Sequence, residues 1–319
     1  MTLQQLEYIV ALDTCRHFVT AAEKCFVTQP TLTMQVKKLE EELGIRIFNR
    51  CHKPLRPTPA GEKIISHAYR ILREVNQMKE YVNNRKGLLA GTWRLGVIPS
   101  LAPYLLPLFL PSFIKEYPQV QLKVFEMQTA DIIAALREDR LDMGLLVTPL
   151  EQRDILETPL FEEPFLLYLP HDHPLGLKEE VNPADLDIGQ MLVLTEGHCF
   201  RNQILNICGE QAQGGHHNFF YESGSIETLK RMVDQGMGYT LIPWLSAGEK
   251  RLPMRIRPFA QPQPVREVSL VYGHNFSQHT LLEKLAEKIL QSIPAALHTG
   301  TPSLKVSIGQ TQETTPKTA

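Results

Sequence analysis

From Ile64 to Val82, the side chains of Ile64, Ala68, Ile71, Val75, Met78 and Val82 return at alternating steps of four and three. That spacing is the heptad seam of a coiled coil, and it predicts one unbroken helix over residues 61–88. A lone helix would leave this edge in water, so the seam must be covered by a second copy of the chain or by the chain's own body. We expect the second copy, with these six residues at a dimer interface. The helix also divides the 319-residue chain, which is long enough for two or three domains. Residues 1–60 form one section before it and residues 89–298 another after it.

The first section reads as three short helices and a hairpin. Leu3 to Thr14 places Leu6, Tyr8, Ile9 and Val10 on one side, and a second helix from His17-Phe18 turns Phe18, Ala21, Ala22 and Cys25 inward before Phe26-Val27 breaks the pattern. Thr28 is an N-cap for a third helix, and Pro30 fits its first turn. In that helix Leu32, Val36 and Leu39 point inward, while Gln29, Thr31, Thr33, Gln35 and Lys37 face elsewhere. Two short helices with a tight junction, the second polar outside, are what a helix-turn-helix needs to reach base edges. After Gly44 the chain reads as a small hairpin, a wing whose Arg50, Lys53 and Arg56 would meet phosphates without reading sequence. Charge agrees, because residues 1–86 hold 14 Lys and Arg against 9 Asp and Glu, and the remainder 19 against 26. The net charge of -2 therefore hides a basic section suited to a polyanion.

From Gly91 strands and helices alternate. Trp93–Ile98, Gln121–Glu126 and Asp142–Val147 read as strands around helices at Leu101–Glu116 and Ala130–Glu138, an open and mostly parallel α/β unit. A second series follows, with strands at Phe165–Leu169, Met191–Leu194, Phe219–Tyr221 and Tyr239–Ile242 and a helix at Ile226–Gln235. Val268–Tyr272 and a helix at Ser277–Gln291 then return the chain to the first series. We therefore expect two lobes crossed twice, lobe one from 89–161 and 268–298 and lobe two from 162–267, with a cleft between them. Ser100 and Thr129 follow strands and face that cleft. Residues 299–319 have few apolar anchors and are expected to be a disordered tail.

One stretch in lobe two is chemically distinct. Cys199 and Cys208 lie nine steps apart in Glu196–Gly209, where Phe200, Ile204, Ile207 and Cys208 recur at helical spacing. A helix would hold the two cysteines on opposite faces, about 13 Å apart along its axis. A disulfide needs Cα atoms within about 7 Å, so joining them would require unwinding. Cys199 sits near the start of this helix beside His198 and Arg201, surroundings that favour a thiolate. Inert packing cysteines are the alternative reading. The remaining cysteines, at 15, 25 and 51, fall in the first section. No apolar run is long enough to span a membrane and the start lacks a secretory pattern, so the chain is expected to be cytoplasmic, where thiols stay reduced.

The run AAEKCFVTQPTLTMQVKKLEEELGIRIFNR, residues 21–50, resembles the winged helix-turn-helix of LysR-type transcriptional regulators, and Thr58-Pro59-Ala60-Gly61 is similar to that family's junction into its linker helix. The resemblance implies that Gln29, Pro30, Thr31 and Thr33 face DNA, and that the α/β section is an effector domain like the periplasmic binding proteins. Leu6-Glu7-Tyr8, Arg16-His17-Phe18, Gly96-Val97-Ile98-Pro99-Ser100, Pro103 to Pro107, Gly197-His198-Cys199 with Arg201, Gln203 and Cys208, Ser225 to Leu229, and Leu270-Val271-Tyr272 are similar to the peroxide-sensing OxyR branch. That likeness runs to about residue 295.

The branch implies that Cys199 is the peroxidatic cysteine and Cys208 its resolving partner. It also implies that Ser100, Thr129 and His198 orient hydrogen peroxide and that Arg201 and Arg266 favour the thiolate. Two positions depart from its pattern. Ser100 stands where threonine is familiar, keeping the hydroxyl without the methyl, and Asn202 stands where a carboxylate is frequent. The implied protein is a regulator of antioxidant genes, not an enzyme, and it needs no cofactor. Its implied partners are double-stranded DNA, further copies in a dimer or tetramer, RNA polymerase, and a thiol reductant such as glutaredoxin or thioredoxin. A regulator of the same scaffold that senses a metabolite in the cleft, with structural cysteines, is the alternative.

Overall fold

The structure, a computed structural model, describes residues 1–50, 54–84, 89–194, 203–204, 206–207, 225–248, 254–274, 276, 278–298 and 303–306. Its packing separates two compact units, Met1–Gly91 with Ala135–Leu141, and Thr92–Ala134 with Asp142–Ala319.

The first unit holds α1 (Leu3–Cys15), α2 (Phe18–Lys24), α3 (Gln29–Leu43), β1 (Phe48–Asn49), β2 (Arg56–Pro57) and α4 (Pro59–Asn84). Thr2 and Gln5 form a capping box at the start of α1, which buries Leu6, Tyr8, Ile9 and Leu12. Thr28 caps α3 as expected, its Oγ accepting from the Thr31 amide, and Gly44 closes α3 at φ 67°. Among the described residues the wing pairs Phe48 with Pro57 and Asn49 with Arg56. Thr58 joins wing to α4: its hydroxyl donates to Arg46 O at 2.7 Å and accepts from Gly61 N at 2.9 Å. A Cβ on Gly61 would lie 2.0 Å from Ile47 O, so only glycine lets α4 start this close to the wing.

The seam on α4 needs a correction. Ala68 is buried among α1–α3 side chains, and half-buried Ile64 packs on the same cluster, so the chain's own body covers the first third of the stripe. Ile71 and Met78 are exposed and Val75 is half-buried, while the side chain of Val82 lies outside the described residues. A sequence stripe cannot distinguish an intramolecular partner from an intermolecular one when both demand the same period.

The second unit holds β3 (Gly91–Val97), α5 (Ala102–Glu116), β4 (Val120–Glu126), α6 (Thr129–Arg137), β5 (Met143–Thr148), β6 (Ile155–Tyr168), α7 (Ile226–Asp234), β7 (Thr240–Pro243), β8 (Ile256–Pro258), β9 (Gln263–Gly273), α8 (His279–Ser292) and β10 (Ser303–Lys305). The sheet order is β4-β3-β5-β9-β6-β7, with β8 on β6 and β10 on β9. β3 and β5 are parallel, as expected of the first series, while β9 enters antiparallel to both β5 and β6.

The two crossings between lobes are β6 and β9. β6 pairs with β9 from Ile155 to Pro164, then with β7 from Phe165 to Tyr168 and with β8 from Leu166 to Tyr168. The sequence marked only the apolar ends of these strands, because Pro159, Pro164 and three glutamates interrupt the first part of β6. Met191 forms an isolated bridge to Tyr239 where a strand was expected, and the strand expected at Phe219–Tyr221 lies outside the described residues.

A second correction concerns the tail. Residues 303–305 pair in parallel with Gln263–Val265, and Val306, buried in the lobe-two core, donates its amide to Val265 O at 3.0 Å. Val306 is the apolar anchor of this segment, and β9 supplies its strand partner. Among the described residues no helix is long and apolar enough to cross a membrane.

Candidate functional site

The second unit carries a fully buried polar centre, formed by its two crossing strands and by Ser100 just beyond the end of β3. Arg266 on β9 sits opposite Glu163 on β6, and neither side chain is exposed to solvent. Arg266 Nε and Nη2 reach Glu163 Oε2 at 2.8 and 2.7 Å, while Glu163 Oε1 accepts from Leu245 N at 2.7 Å. Arg266 Nη1 donates to Ser100 Oγ at 2.9 Å and Nη2 to Ser100 O at 3.1 Å. A buried ion is tolerable only when paired and hydrogen-bonded, and this arrangement meets that condition from three separate segments.

Ser100 follows β3 and Thr129 opens α6 after β4; the amide of Met127 donates to Val97 O at 3.0 Å, bringing the ends of these neighbouring strands together. Thr129 Oγ1 is buried and has no hydrogen-bond partner among the described residues. Ser100 and Thr129 therefore follow the adjoining ends of β3 and β4, and Ser100 is joined there by Arg266 from β9. Arg266 is not a free cation, however, because Glu163 balances its charge.

Cys199, Cys208, His198 and Arg201 lie outside the described residues, as does Asn202. Between them, residues 203–204 and 206–207 are helical. Ile204 is buried and Ile207 packs on the lobe-two core, matching the inward stripe read from the sequence. Gln203 is buried too, with Nε2 donating to Val306 O at 3.2 Å and Oε1 without a partner among the described residues. Farther along, Tyr104 on α5 donates to Glu227 Oε1 on α7 at 2.9 Å. Burial, reinforced by the Glu227 carboxylate, pushes the Tyr104 hydroxyl well above its usual range.

The DNA-reading candidates distribute unevenly. Gln29 and Pro30 are exposed at the start of α3, Thr33 is half-buried, and the Thr31 hydroxyl is 2.8 Å from that of Thr28 within the cap. Arg56 is exposed, while Lys53 lies outside the described residues. Arg50 is tied down: Nη2 reaches Glu40 Oε2 at 3.0 Å and its guanidinium lies over the Phe18 ring. Glu40 is buried and also accepts from Ile47 N at 2.8 Å and Phe48 N at 3.2 Å, so it closes the wing onto α3. Arg50 thus has a structural partner in addition to any role toward phosphates.

Reading the sequence missed both Glu40 and Glu163. For Glu163 a signal was present. Phe161, Glu163 and Phe165 share a strand phase, so a face that buries both aromatics must bury the acid between them. Among the described residues no group of His, Cys, Asp and Glu is placed to hold a metal.

Comparison with known proteins covers almost the whole chain. Residues 3–62 match the bacterial regulatory helix-turn-helix protein, lysR family, and residues 86–293 match the LysR substrate binding domain. The DNA-binding transcriptional dual regulator OxyR of Escherichia coli K12 is 37% identical over 291 residues, 91% of this chain and 95% of that protein. A full-length OxyR variant from Pseudomonas aeruginosa is similar with a TM-score of 0.77 and 36% identity, over 92% of this chain and 99% of that one. A hydrogen peroxide-bound mutant of Corynebacterium glutamicum OxyR is similar with a TM-score of 0.61 and 29% identity, over 91% and 92%.

Proposed function

This chain belongs to the LysR family of bacterial regulators, and we propose that within it the protein is an OxyR-type, peroxide-responsive regulator whose switch is a disulfide between Cys199 and Cys208. The observation that carries the reading is the centre at the strand ends. Ser100 Oγ is held by Arg266, and the buried Thr129 Oγ1 at the adjoining strand end has no partner among the described residues. One hydroxyl held by Arg266 and one buried hydroxyl with its hydrogen-bonding capacity unused suit a small uncharged species that both accepts and donates hydrogen bonds. An acidic metabolite would gain little here, because Glu163 already neutralises Arg266.

In the proposed chemistry the Cys199 thiolate attacks one peroxide oxygen. An S–O bond forms as the O–O bond breaks, and hydroxide leaves and takes a proton to become water. The sulfenic acid then condenses with the Cys208 thiol, forming the S–S bond and releasing a second water. Two thiols are oxidised as one peroxide is reduced. His198 and the Ser100 and Thr129 hydroxyls orient the peroxide and donate to the leaving oxygen, while Arg201 favours the thiolate. Helical backbone at residues 203–204 and 206–207 supports the view that the disulfide must unwind this stretch. A thiol reductant of the glutaredoxin or thioredoxin kind would restore the dithiol.

The rearranged effector domain would alter how DNA-binding heads are spaced in a dimer or tetramer on promoter DNA, and hence their contact with RNA polymerase. Ile71, Val75, Met78 and Val82 remain the candidates for pairing two linker helices.

The test is peroxide titration of the full chain with mass analysis of non-reduced peptides. A peptide crosslink between positions 199 and 208, absent in Cys199→Ser, is the expected result, with DNA binding retained by the variant. A full promoter response in Cys199→Ser would remove the assigned nucleophile. DNA-binding changes driven by a metabolite, without any crosslink, would favour the cleft-ligand alternative.

A further inference from the structure

α2 ends in a Schellman motif: the Phe26 amide donates to Glu23 O at 3.1 Å and the Val27 amide to Ala22 O at 3.0 Å. This pairing fixes Phe26 at the C′ position with φ 55°, in the left-handed region where glycine or asparagine is favoured. A bulky side chain in that conformation is strained, and the fold gains nothing from this ring, which is 95% exposed. Phe26 stands in the turn of the helix-turn-helix, two residues before the Thr28 cap, and exposed Gln29 and Pro30 follow at the start of α3. Its place is therefore the end of the helix whose N-terminal residues approach base edges in such motifs. One turn along α3 from Pro30, Met34 is also exposed, at 59%.

The geometry points to Phe26 as a sequence-determining residue that reads a thymine 5-methyl group in the major groove. Phosphates offer nothing to an aromatic ring, and the thymine methyl is the apolar group displayed by the major-groove edges. Continuity with the α3 reading face makes the occupant duplex DNA. The proposal rests on α3 being the DNA-reading helix, and it is independent of the chemistry of Cys199 and Cys208.

The full-length protein is first used to select its preferred duplex from a random-sequence pool. Each thymine of that duplex is then replaced singly by uracil, which removes the methyl and leaves base pairing intact. At one thymine per half-site, uracil is expected to weaken binding of the wild type about fourfold, the scale of one buried CH₂ group. Phe26→Asn, whose side chain suits the left-handed position, should melt at the same temperature or higher, bind the selected duplex about tenfold more weakly, and show no uracil penalty at that thymine.

Selecting no sequence at all would overturn both the DNA-reading assignment and the proposal. A selected duplex that tolerates uracil everywhere would overturn the proposal alone. So would a uracil penalty that persists in Phe26→Asn, and if that penalty disappeared in Met34→Ala the methyl reader would be Met34.

Discussion

Each unit of the molecule is closed by one buried glutamate, and the two are built to different strengths. Glu40 accepts from the Ile47 and Phe48 amides and pairs with Arg50, ten residues along the chain, whose side chain is 43% exposed. Glu163 accepts from the Leu245 amide and pairs with Arg266, 103 residues away and 0% exposed. The first pair clips a wing onto the helix before it, with water still reaching the cation. The second binds the two strands that pass between lobes, where no solvent can substitute for a missing partner. An ion pair that looks the same on paper is thus a local fastener in one unit and an obligatory joint in the other.

The largest test removes one side of the obligatory joint. Arg266→Met leaves Glu163 buried without its counter-ion, and the regulatory unit should lose about 3–5 kcal/mol in denaturant unfolding. Replacing both, Glu163→Leu with Arg266→Met, should recover part of this loss; recovery stays incomplete because Ser100 O and the Leu245 amide still lack partners. A loss no greater than that of Arg50→Ala would break the comparison. Glu40→Ala comes next, at about 2–3 kcal/mol in the DNA-binding unit, since two backbone amides lose their acceptor. Arg50→Ala should cost at most about 1 kcal/mol, as expected of a pair open to water.

The smallest effect asks whether mild acid weakens the regulatory unit elsewhere. Burial holds the His173 imidazole below its usual 6.5, and Nδ1 accepts from the Leu175 amide at 3.2 Å while the ring stands edge-on to Tyr239. The unfolded chain therefore takes up a proton first as pH falls. His173 contributes fully above about pH 6.5, and its contribution declines as pH drops from there through the lower folded value. Melting temperatures from pH 7.5 to 5 should show this slope in the wild type. His173→Asn, which keeps an acceptor for Leu175, should flatten it.

The same contrast governs what could be read from the sequence. The junction at Thr58 is legible through the resemblance, whereas Thr28 and the apolar stripes of α1 and α3 act within a single helix, so composition and spacing reveal them. Strand ends such as those of β3 and β5 were legible for a similar reason. The inner part of β6 was not: its prolines and glutamates make sense only beside β9, more than a hundred residues later. Ser100 is legible from its place after a strand and Arg266 only through the resemblance, but the partner that fixes Arg266 is not, because a glutamate in a row of glutamates looks solvated until its strand phase is considered. Ile64 and Ala68 were assigned to another copy and belong instead to the chain's own first unit.

β10 covers the backbone of β9 along Gln263–Val265, and Val306 plugs the core beneath it. Uncapped strand borders recruit whatever extended chain is nearby. A regulatory-domain fragment stopped at residue 298 would bare this border, and we expect it to self-associate by lending strands between molecules. A fragment carried through Val306 should stay monodisperse at the same concentration in light scattering.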